Sequence, residues 1–267
     1  MNRWQDFTSP ALGRHIDDRT VAVVALGAVE QHGPHLPLGT DSVIAEALLN
    51  AALERLDESL DAVALPPMTI GASDEHKSFA GTLGLDARTT ANLLETLGAD
   101  LARAGVRRLV WVNGHGGNRA AMDIAALGLR RRFGMLAVKC TYTRLGDPPG
   151  GDVAELARGF HGGWLETALM LHLAPARVRR DRVADFAAEN IPGDGTEGAG
   201  GALLGPEGAA AFGWLSEDLN RRGVIGNAAA ATAEQGARLV EFYAERIARV
   251  IGEAAALDID SFAPAPD

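Results

Sequence analysis

Short runs of branched apolar residues alternate along the chain with longer alanine- and leucine-rich segments of helical periodicity. The short runs predict buried strands, and the longer segments predict helices with one apolar face. We predict strands at 20–29, 62–70, 107–113 and 135–144, and helices at 41–56, 90–106, 119–133 and 229–251. This alternating order, with strands that are apolar almost throughout, predicts an α/β fold in which helices cover both faces of a mainly parallel sheet.

The length of the chain limits the number of domains. Its 267 residues suffice for one large α/β domain or two small ones. We see no internal repeat and no clear linker, so we expect a single domain over 1–267. The glycine-rich segment 191–213 is the main departure from the regular pattern. It is either a surface loop without further role, or an active-site loop or subunit-contact arm.

Composition excludes several classes of partner. A net charge of −10 is unfavourable for binding nucleic acid or an anionic membrane, because both require a basic surface. No apolar run is long enough to span a membrane, and residues 1–18 lack the apolar core of a signal peptide. The one cysteine, Cys140, cannot form an intrachain disulfide and fits a reducing compartment. We therefore expect a cytoplasmic protein.

Side chains that bind metals follow two of the predicted strands. Glu30 and His32 come directly after the first strand, Asp41 follows a proline-restricted turn, and His115 comes after the third strand. Parallel sheets bind their ligands beyond the carboxyl ends of the strands, so these four groups should lie at one edge. Two imidazoles and two carboxylates suit Zn²⁺, Mn²⁺ or Fe²⁺. Asp41 could instead be a helix N-cap.

Two further polar clusters occur in comparable positions. Ser73, Glu75 and His76 follow the second predicted strand, and they are either a solvated loop or a loop that contacts the substrate. His161 precedes a glycine pair, where nothing in the turn itself requires an imidazole. Glu166 lies in the first turn of an apolar helix, where the helix dipole stabilises a glutamate even without a catalytic role.

Five ordered motifs resemble those of the creatininase family of metal-dependent amidohydrolases. They are VEQHGPHLPLGTD, SDEHKSFAGTL, VNGHGGN, HGGWLETALML and GVIGNAAAATAEQGARL, and they extend over about residues 20–245. The resemblance implies a three-layer α/β/α fold, one or two divalent metal ions and hydrolysis of cyclic or linear amides. It also implies assembly as a homo-oligomer, commonly a hexamer built from dimers.

The resemblance assigns roles residue by residue. By this likeness Glu30 and His115 bind a first metal, His32 binds a second, Asp41 bridges the two, and His161 delivers a proton to the leaving nitrogen. We place Ser73, Glu75, His76, Gly116 and Trp164 at the substrate.

One position departs from the family pattern. Creatininases carry a second-metal glutamate two residues after the histidine of the GH motif, and here that position is Gly117. The second metal is therefore weakened, absent or completed from elsewhere, with Glu166 as a candidate ligand and catalytic residue. The change also argues against creatinine as the substrate.

Several branches of the family carry a glycine-rich GHGGN motif. The EHKSFAGT stretch is similar to that of the mycofactocin-maturation peptidase branch. We therefore expect a hydrolase of a small-molecule or short peptide amide that uses metal-activated water. The alternatives are a hydrolase of a non-amide cyclic metabolite, such as a keto-inositol or lactone, and a non-catalytic metal- or metabolite-binding homologue.

Overall fold

The computed structural model describes residues 2–189, 203–207 and 209–262 of the chain. Its strands are β1 Asn2–Arg3, β2 Val21–Leu26, β3 Ala62–Ala64, β4 Arg108–Asn113, β5 Leu136–Thr141, β6 Asp185–Phe186, β7 Leu204–Gly205, β8 Ala210–Ala211 and β9 Gly226–Asn227. Its α-helices are α1 Ser9–His15, α2 Thr40–Leu53, α3 Ala87–Arg103, α4 Asn118–Phe133, α5 Val153–Arg158, α6 Trp164–Leu173, α7 Ser216–Leu219 and α8 Ala233–Ala256.

The central sheet has five strands in the order β1-β3-β2-β4-β5, and every pair in it is parallel. This arrangement confirms the predicted parallel sheet. In register, Leu26 at the end of β2 lies beside Asn113 of β4, and Asn113 lies beside Thr141 of β5. The carboxyl ends of these three strands are therefore level, and the loops that follow them emerge side by side.

Helices cover both faces of the sheet. Alternate residues of β2 point to opposite sides, as strand geometry requires. Val21, Val23 and Ala25 pack with side chains of α2, α6 and α8, whereas Ala22 and Val24 pack with side chains of α3 and α4. All five β2 residues are at most 3% exposed. The fold is thus a three-layer α/β/α structure.

Two predicted elements differ from the structure. The strand predicted at 62–70 is ordered as a strand only over Ala62–Ala64, because Pro66 and Pro67 have no N–H to donate to a neighbouring strand. The helix predicted at 229–251 begins at Ala233 and extends to Ala256. Thr232 fixes its start, since its hydroxyl accepts from Gln235 N and the Gln235 side chain accepts from Thr232 N.

The other predicted helices and strands are present, with ends that shift by at most three residues. Residues 191–202 and 208 of the glycine-rich segment lie outside the described residues. In its remaining part, β7 pairs with β8 in a short parallel ladder. Across the residues that the structure describes, no helix has both the length and the apolar character needed to cross a bilayer.

Candidate metal centre

Glu30, Asp41 and His115 meet beyond the carboxyl ends of β2 and β4. His115 Nδ1 lies 3.1 Å from Glu30 Oε1 and 3.4 Å from Asp41 Oδ2. One ligand atom from each of the three side chains lies within 4.8 Å of the other two. All three residues are at most 4% exposed. The structure thus brings together the three residues that the sequence analysis assigned to a first metal.

A second group adjoins the first and shares one residue with it. His32 Nε2 lies 3.1 Å from Asp41 Oδ1 and 3.8 Å from Glu166 Oε2. His32, Asp41 and Glu166 also satisfy the geometry of a possible ion site. Because the two oxygens of Asp41 face different groups, its carboxylate has the position of a bridge. Glu166 supplies the second carboxylate of this group.

The unpaired oxygens of the cluster fit a divalent cation. Both carboxylate oxygens of Glu30 and Oδ2 of Asp41 are buried and have no hydrogen-bond partner. A buried carboxylate without a partner is costly, so groups of this kind are normally paired or bound to a metal. Oxygen and imidazole donors together suit Zn²⁺, Mn²⁺ or Fe²⁺.

Hydrogen bonds to backbone carbonyls orient the two imidazoles. His115 Nε2 donates to Ala72 O at 2.7 Å, and His32 Nδ1 donates to Glu30 O at 3.1 Å. The opposite nitrogen of each ring faces the carboxylates. Metal-binding histidines typically have this arrangement, in which an outer partner fixes the tautomer and leaves the other nitrogen for the ion.

The pKa values of two histidines and one glutamate of the cluster are raised, so these groups hold protons in the metal-free protein. Burial lowers the pKa of His32, but Asp41 and Glu166 more than offset this effect and raise it to about 10. Burial also lowers the pKa of His115, and Glu30 and Asp41 raise it to about 10. Burial raises the pKa of Glu166 to about 7. Metal binding therefore has to displace protons.

The start of α2 places the shared carboxylate. Gly39 occupies the N-cap position, and no side chain caps the helix there. Asp41 lies in the first turn instead, with its carboxylate directed to the two histidines. The alternative that Asp41 is the N-cap is therefore wrong.

Asn118 joins the loops that carry the ligands, and our sequence analysis did not single it out. Its Oδ1 accepts from Ala72 N at 2.9 Å, and its Nδ2 donates to Gly27 O at 3.1 Å and to Asn113 Oδ1 at 3.1 Å. These bonds connect the ends of β2 and β4 with the loop after β3. The available signal was its place as the final residue of GHGGN.

His76 lies behind Glu30. Gln31 Nε2 donates to His76 Nδ1 at 2.9 Å, and the Ser216 hydroxyl lies 2.5 Å from the same nitrogen. Since Nδ1 is the acceptor, Nε2 carries the proton and faces Glu30 Oε1 at 3.3 Å. Burial, then repulsion from His115, lowers the pKa of His76 to about 3, so the ring is neutral. In this geometry His76 orients a candidate ligand.

His161 packs between two other imidazoles. Its ring centroid is 4.2 Å from that of His32 and 4.2 Å from that of His76. Nε2 donates to Gln31 O at 2.7 Å, which leaves Nδ1 to face Glu30 Oε1 at 3.7 Å. Burial, together with the charge of His32, holds its pKa well below the ordinary value. His161 is therefore neutral at the cluster, and with Glu30 and His32 it forms a third possible ion group.

A cavity of about 550 Å³ opens onto the cluster. Four of the five residues that we predicted at the substrate line it, namely Glu75, His76, Gly116 and Trp164. Ser73 does not. It is fully buried, and its hydroxyl lies 3.5 Å from His115 Nε2. Ser73 thus lies beside the nitrogen of His115 that points away from the carboxylates, and not at the cavity where we predicted a substrate contact.

The structure explains why position 117 is glycine. A Cβ at Gly117 would lie under 3.0 Å from Ala72 O, His115 Nε2 and Glu75 Oε1. The loop after β3 therefore occupies the space that a glutamate would need. Glu75 Oε1 itself is 3.6 Å from His115 Nε2.

The fold and this site together define a class: an α/β/α protein with a paired carboxylate–histidine centre at one edge of its sheet. The creatininase family model, described as creatinine amidohydrolase, matches residues 5–251. The chain belongs to the creatininase family. This membership agrees with the resemblance that the five motifs indicated.

Curated relatives differ in the reaction for which they are named. A mycofactocin precursor peptide peptidase of Mycobacterium tuberculosis is 37% identical over 237 residues, covering 85% of this chain and 84% of the relative. A creatinine amidohydrolase of Pseudomonas putida is 32% identical over 189 residues, covering 64% of this chain and 71% of the relative.

Solved creatininase structures share the fold over nearly the whole chain. A mutant creatininase complexed with creatine has a TM-score of 0.75 at 26% identity, and a structure titled "Creatininase Mn" has one of 0.74 at 26% identity. Each comparison covers 96% of this chain and 99% of the other.

Proposed function

We propose that this chain is a metal-dependent hydrolase of an amide C–N bond in a short, peptide-like substrate. The observation that carries the proposal is the shared carboxylate of Asp41, which faces His115 with one oxygen and His32 with the other. Glu30 and Glu166 complete the two groups as ligands. Such a pair of adjoining sites is the arrangement that two-metal hydrolases use.

The buried residues around the cluster have separate roles in this proposal. Divalent ions held there would supply an activated water at neutral pH and polarise the scissile carbonyl. With its Nε2 bonded to Gln31 O, neutral His161 directs Nδ1 to the cluster, where it would hold a proton taken from bound solvent and return it to the departing nitrogen. Trp164, which is 3% exposed, excludes bulk solvent on one side. Backbone N–H groups at Gly116 and the start of α4 favour developing negative charge.

Two observations favour a peptide-like amide over creatinine. The relative named as a peptidase matches a larger share of this chain, at higher identity, than the relative named creatinine amidohydrolase. In addition, Ala72, His115 and Glu75 fill the space beside Gly117, so a creatininase-type glutamate does not fit there.

A reconstitution experiment tests the proposal. Metal-free protein is loaded separately with Zn²⁺, Mn²⁺ or Fe²⁺ and assayed with creatinine, a formamide and a set of short peptides. We expect peptide hydrolysis that chelators abolish, and loss of metal in Glu30→Gln and His115→Ala. His172→Ala is the matched control, because His172 is exposed on α6. Stoichiometric metal in both ligand variants, or no amide hydrolysis by any loaded form, would contradict the proposal.

Finer properties belong to the same proposal. We propose binding of one or two ions of Zn, Mn or Fe, a single domain, a cytoplasmic location and a homo-oligomer, with six subunits as the family resemblance implies. A subunit contact could bury exposed apolar side chains on α3 and α4, such as Leu97, Ile124 and Leu127. Light scattering coupled to gel filtration measures the subunit number directly.

A further inference from the structure

Two arginines stand at the mouth of the cavity that leads to the metal centre. Arg119 lies in the first turn of α4, and its Nε donates to Gly116 O at 3.1 Å, one residue after the candidate ligand His115. Arg144 follows β5, whose last residue, Thr141, is level with Asn113 of β4. The same strand ends that present the metal ligands therefore also present these two guanidinium groups.

Apart from the histidines of the metal centre, the other charged residues of the cavity wall are acidic. Among the described residues that line the cavity, Arg119 and Arg144 are the permanent cations, and five residues are carboxylic, namely Glu75, Asp147, Glu155, Glu166 and Glu207. The two arginines therefore form a local region of positive charge in a cleft whose other side chains are mostly acidic or neutral. Away from the metal centre, an anionic group on a substrate would be attracted to these two guanidinium groups.

Glu207 occupies that place in the structure. Its carboxylate is paired with Arg119, and Arg144 Nη2 lies 3.9 Å from its other oxygen. Glu207 comes from the segment between β7 and β8, about ninety residues away in sequence from Arg119. The three side chains are partly exposed, at 31% for Arg119, 32% for Glu207 and 67% for Arg144. Exposed ion pairs contribute little net stability, so another carboxylate can displace Glu207.

We propose that Arg119 and Arg144 form a carboxylate-binding subsite, which Glu207 fills when no substrate is bound. The ligand is a free carboxylate on the substrate, such as that of a peptide C-terminus, held while its amide reaches the metal centre. Arginine suits this task because its planar fork binds carboxylates through two parallel hydrogen bonds. The inference rests on the proposed function, since it names the substrate group that the same site would select.

Paired hydroxamates test the subsite without knowledge of the natural substrate. A hydroxamate anchors to the metal, so the succinic, glutaric and adipic monohydroxamates place a carboxylate at increasing distance from it. Each is compared with its carboxamide analogue by calorimetric titration of the Mn²⁺-loaded protein. We expect at least one carboxylate to bind about tenfold more tightly than its amide partner, which corresponds to about 1.4 kcal/mol.

Variants connect that gain to the named residues. Arg119→Gln and Arg144→Gln should each reduce the carboxylate advantage to about twofold or less, while Glu207→Gln should increase it because the competing carboxylate is gone. Arg55→Gln is the matched control, since Arg55 makes a comparable exposed pair with Glu241 on another surface. Thermal unfolding of each variant verifies that it is folded.

The outcomes separate this inference from the proposed function. Equal binding of every carboxylate and amide pair, in both the wild-type chain and Glu207→Gln, overturns the subsite. If acetohydroxamate still binds in that case, the metal centre and the proposed function stand. If acetohydroxamate does not bind to protein incubated with Mn²⁺, the proposed metal centre is refuted, and the proposed subsite is refuted with it.

Discussion

Replacing Gly117 by alanine tests how closely the loop after β3 packs against the metal centre. Gly117 has helical backbone angles, φ −61° and ψ −24°, which alanine adopts without strain. By backbone entropy alone, alanine would stabilise the protein by about 0.4–1 kcal/mol. The new Cβ, however, would lie under 3.0 Å from Ala72 O, His115 Nε2 and Glu75 Oε1. Ala72 O is a backbone atom and cannot rotate away.

The expected loss has two parts. Forcing a methyl group into a filled space costs about 1–3 kcal/mol, so subtracting the entropic gain leaves a net destabilisation of about 0–2.6 kcal/mol. The same displacement weakens the 2.7 Å hydrogen bond from His115 to Ala72. Removing the outer partner of a metal-binding histidine typically lowers metal affinity roughly 10–100-fold.

Urea unfolding of the metal-free protein measures the first part, and chelator competition for Zn²⁺ measures the second. Gly116→Ala is the matched control, because the adjacent Gly116 would place its Cβ with nothing within 4 Å. We expect Gly116→Ala to be neutral or slightly stabilising and to keep full affinity. If the two variants give the same unfolding free energy and the same affinity, the packing argument at position 117 is wrong.

Three further predictions concern the histidines. The pKa values of His32 and His115 are about 10 in the metal-free chain, so filling both ion groups at pH 7–8 should release close to two protons from these imidazoles, and affinity should rise with pH. Calorimetry in buffers of different ionisation enthalpy counts the protons. His161→Ala should leave metal content unchanged and lower turnover at least tenfold, measured by elemental analysis and a hydrolysis assay. His76→Ala should weaken metal binding roughly tenfold by removing the ring whose Nε2 faces Glu30 Oε1 at 3.3 Å, measured by chelator competition.

Each of these predictions has a contrary outcome. Release of fewer than one proton would show that the two imidazoles are neutral before the metal binds. Unchanged turnover in His161→Ala would remove that residue from the mechanism. Full affinity in His76→Ala would show that the position of Glu30 does not depend on the His76 ring.

The sheet and the main ligand groups follow from local pattern. Continuous apolar strands require a sheet covered on both faces, and the carboxyl ends of parallel strands must lie together. For this reason Glu30, His32, Asp41 and His115 can be placed near one another before any coordinates are known. The strand predicted at 62–70 is shorter in the structure, because Pro66 and Pro67 have no N–H groups to donate to a neighbouring strand although the segment is apolar.

The supporting contacts depend on residues that are far apart in sequence. The tautomer of His76 is fixed by Gln31 and by Ser216, which is 140 residues away. No spacing rule connects such positions, and a polar residue in a loop carries no signal of its distant partner. Glu207 is comparable, since only the fold brings it beside Arg119.

An anomalous-scattering map of crystals grown with Mn²⁺ or Zn²⁺ tests the central claim most directly. We expect a peak between Glu30, Asp41 and His115, with ligand distances of about 2.0–2.2 Å for bound zinc. With a second ion, another peak lies between His32, Asp41 and Glu166. Protein that contains stoichiometric metal by elemental analysis, yet shows no peak among these five side chains, would contradict the account.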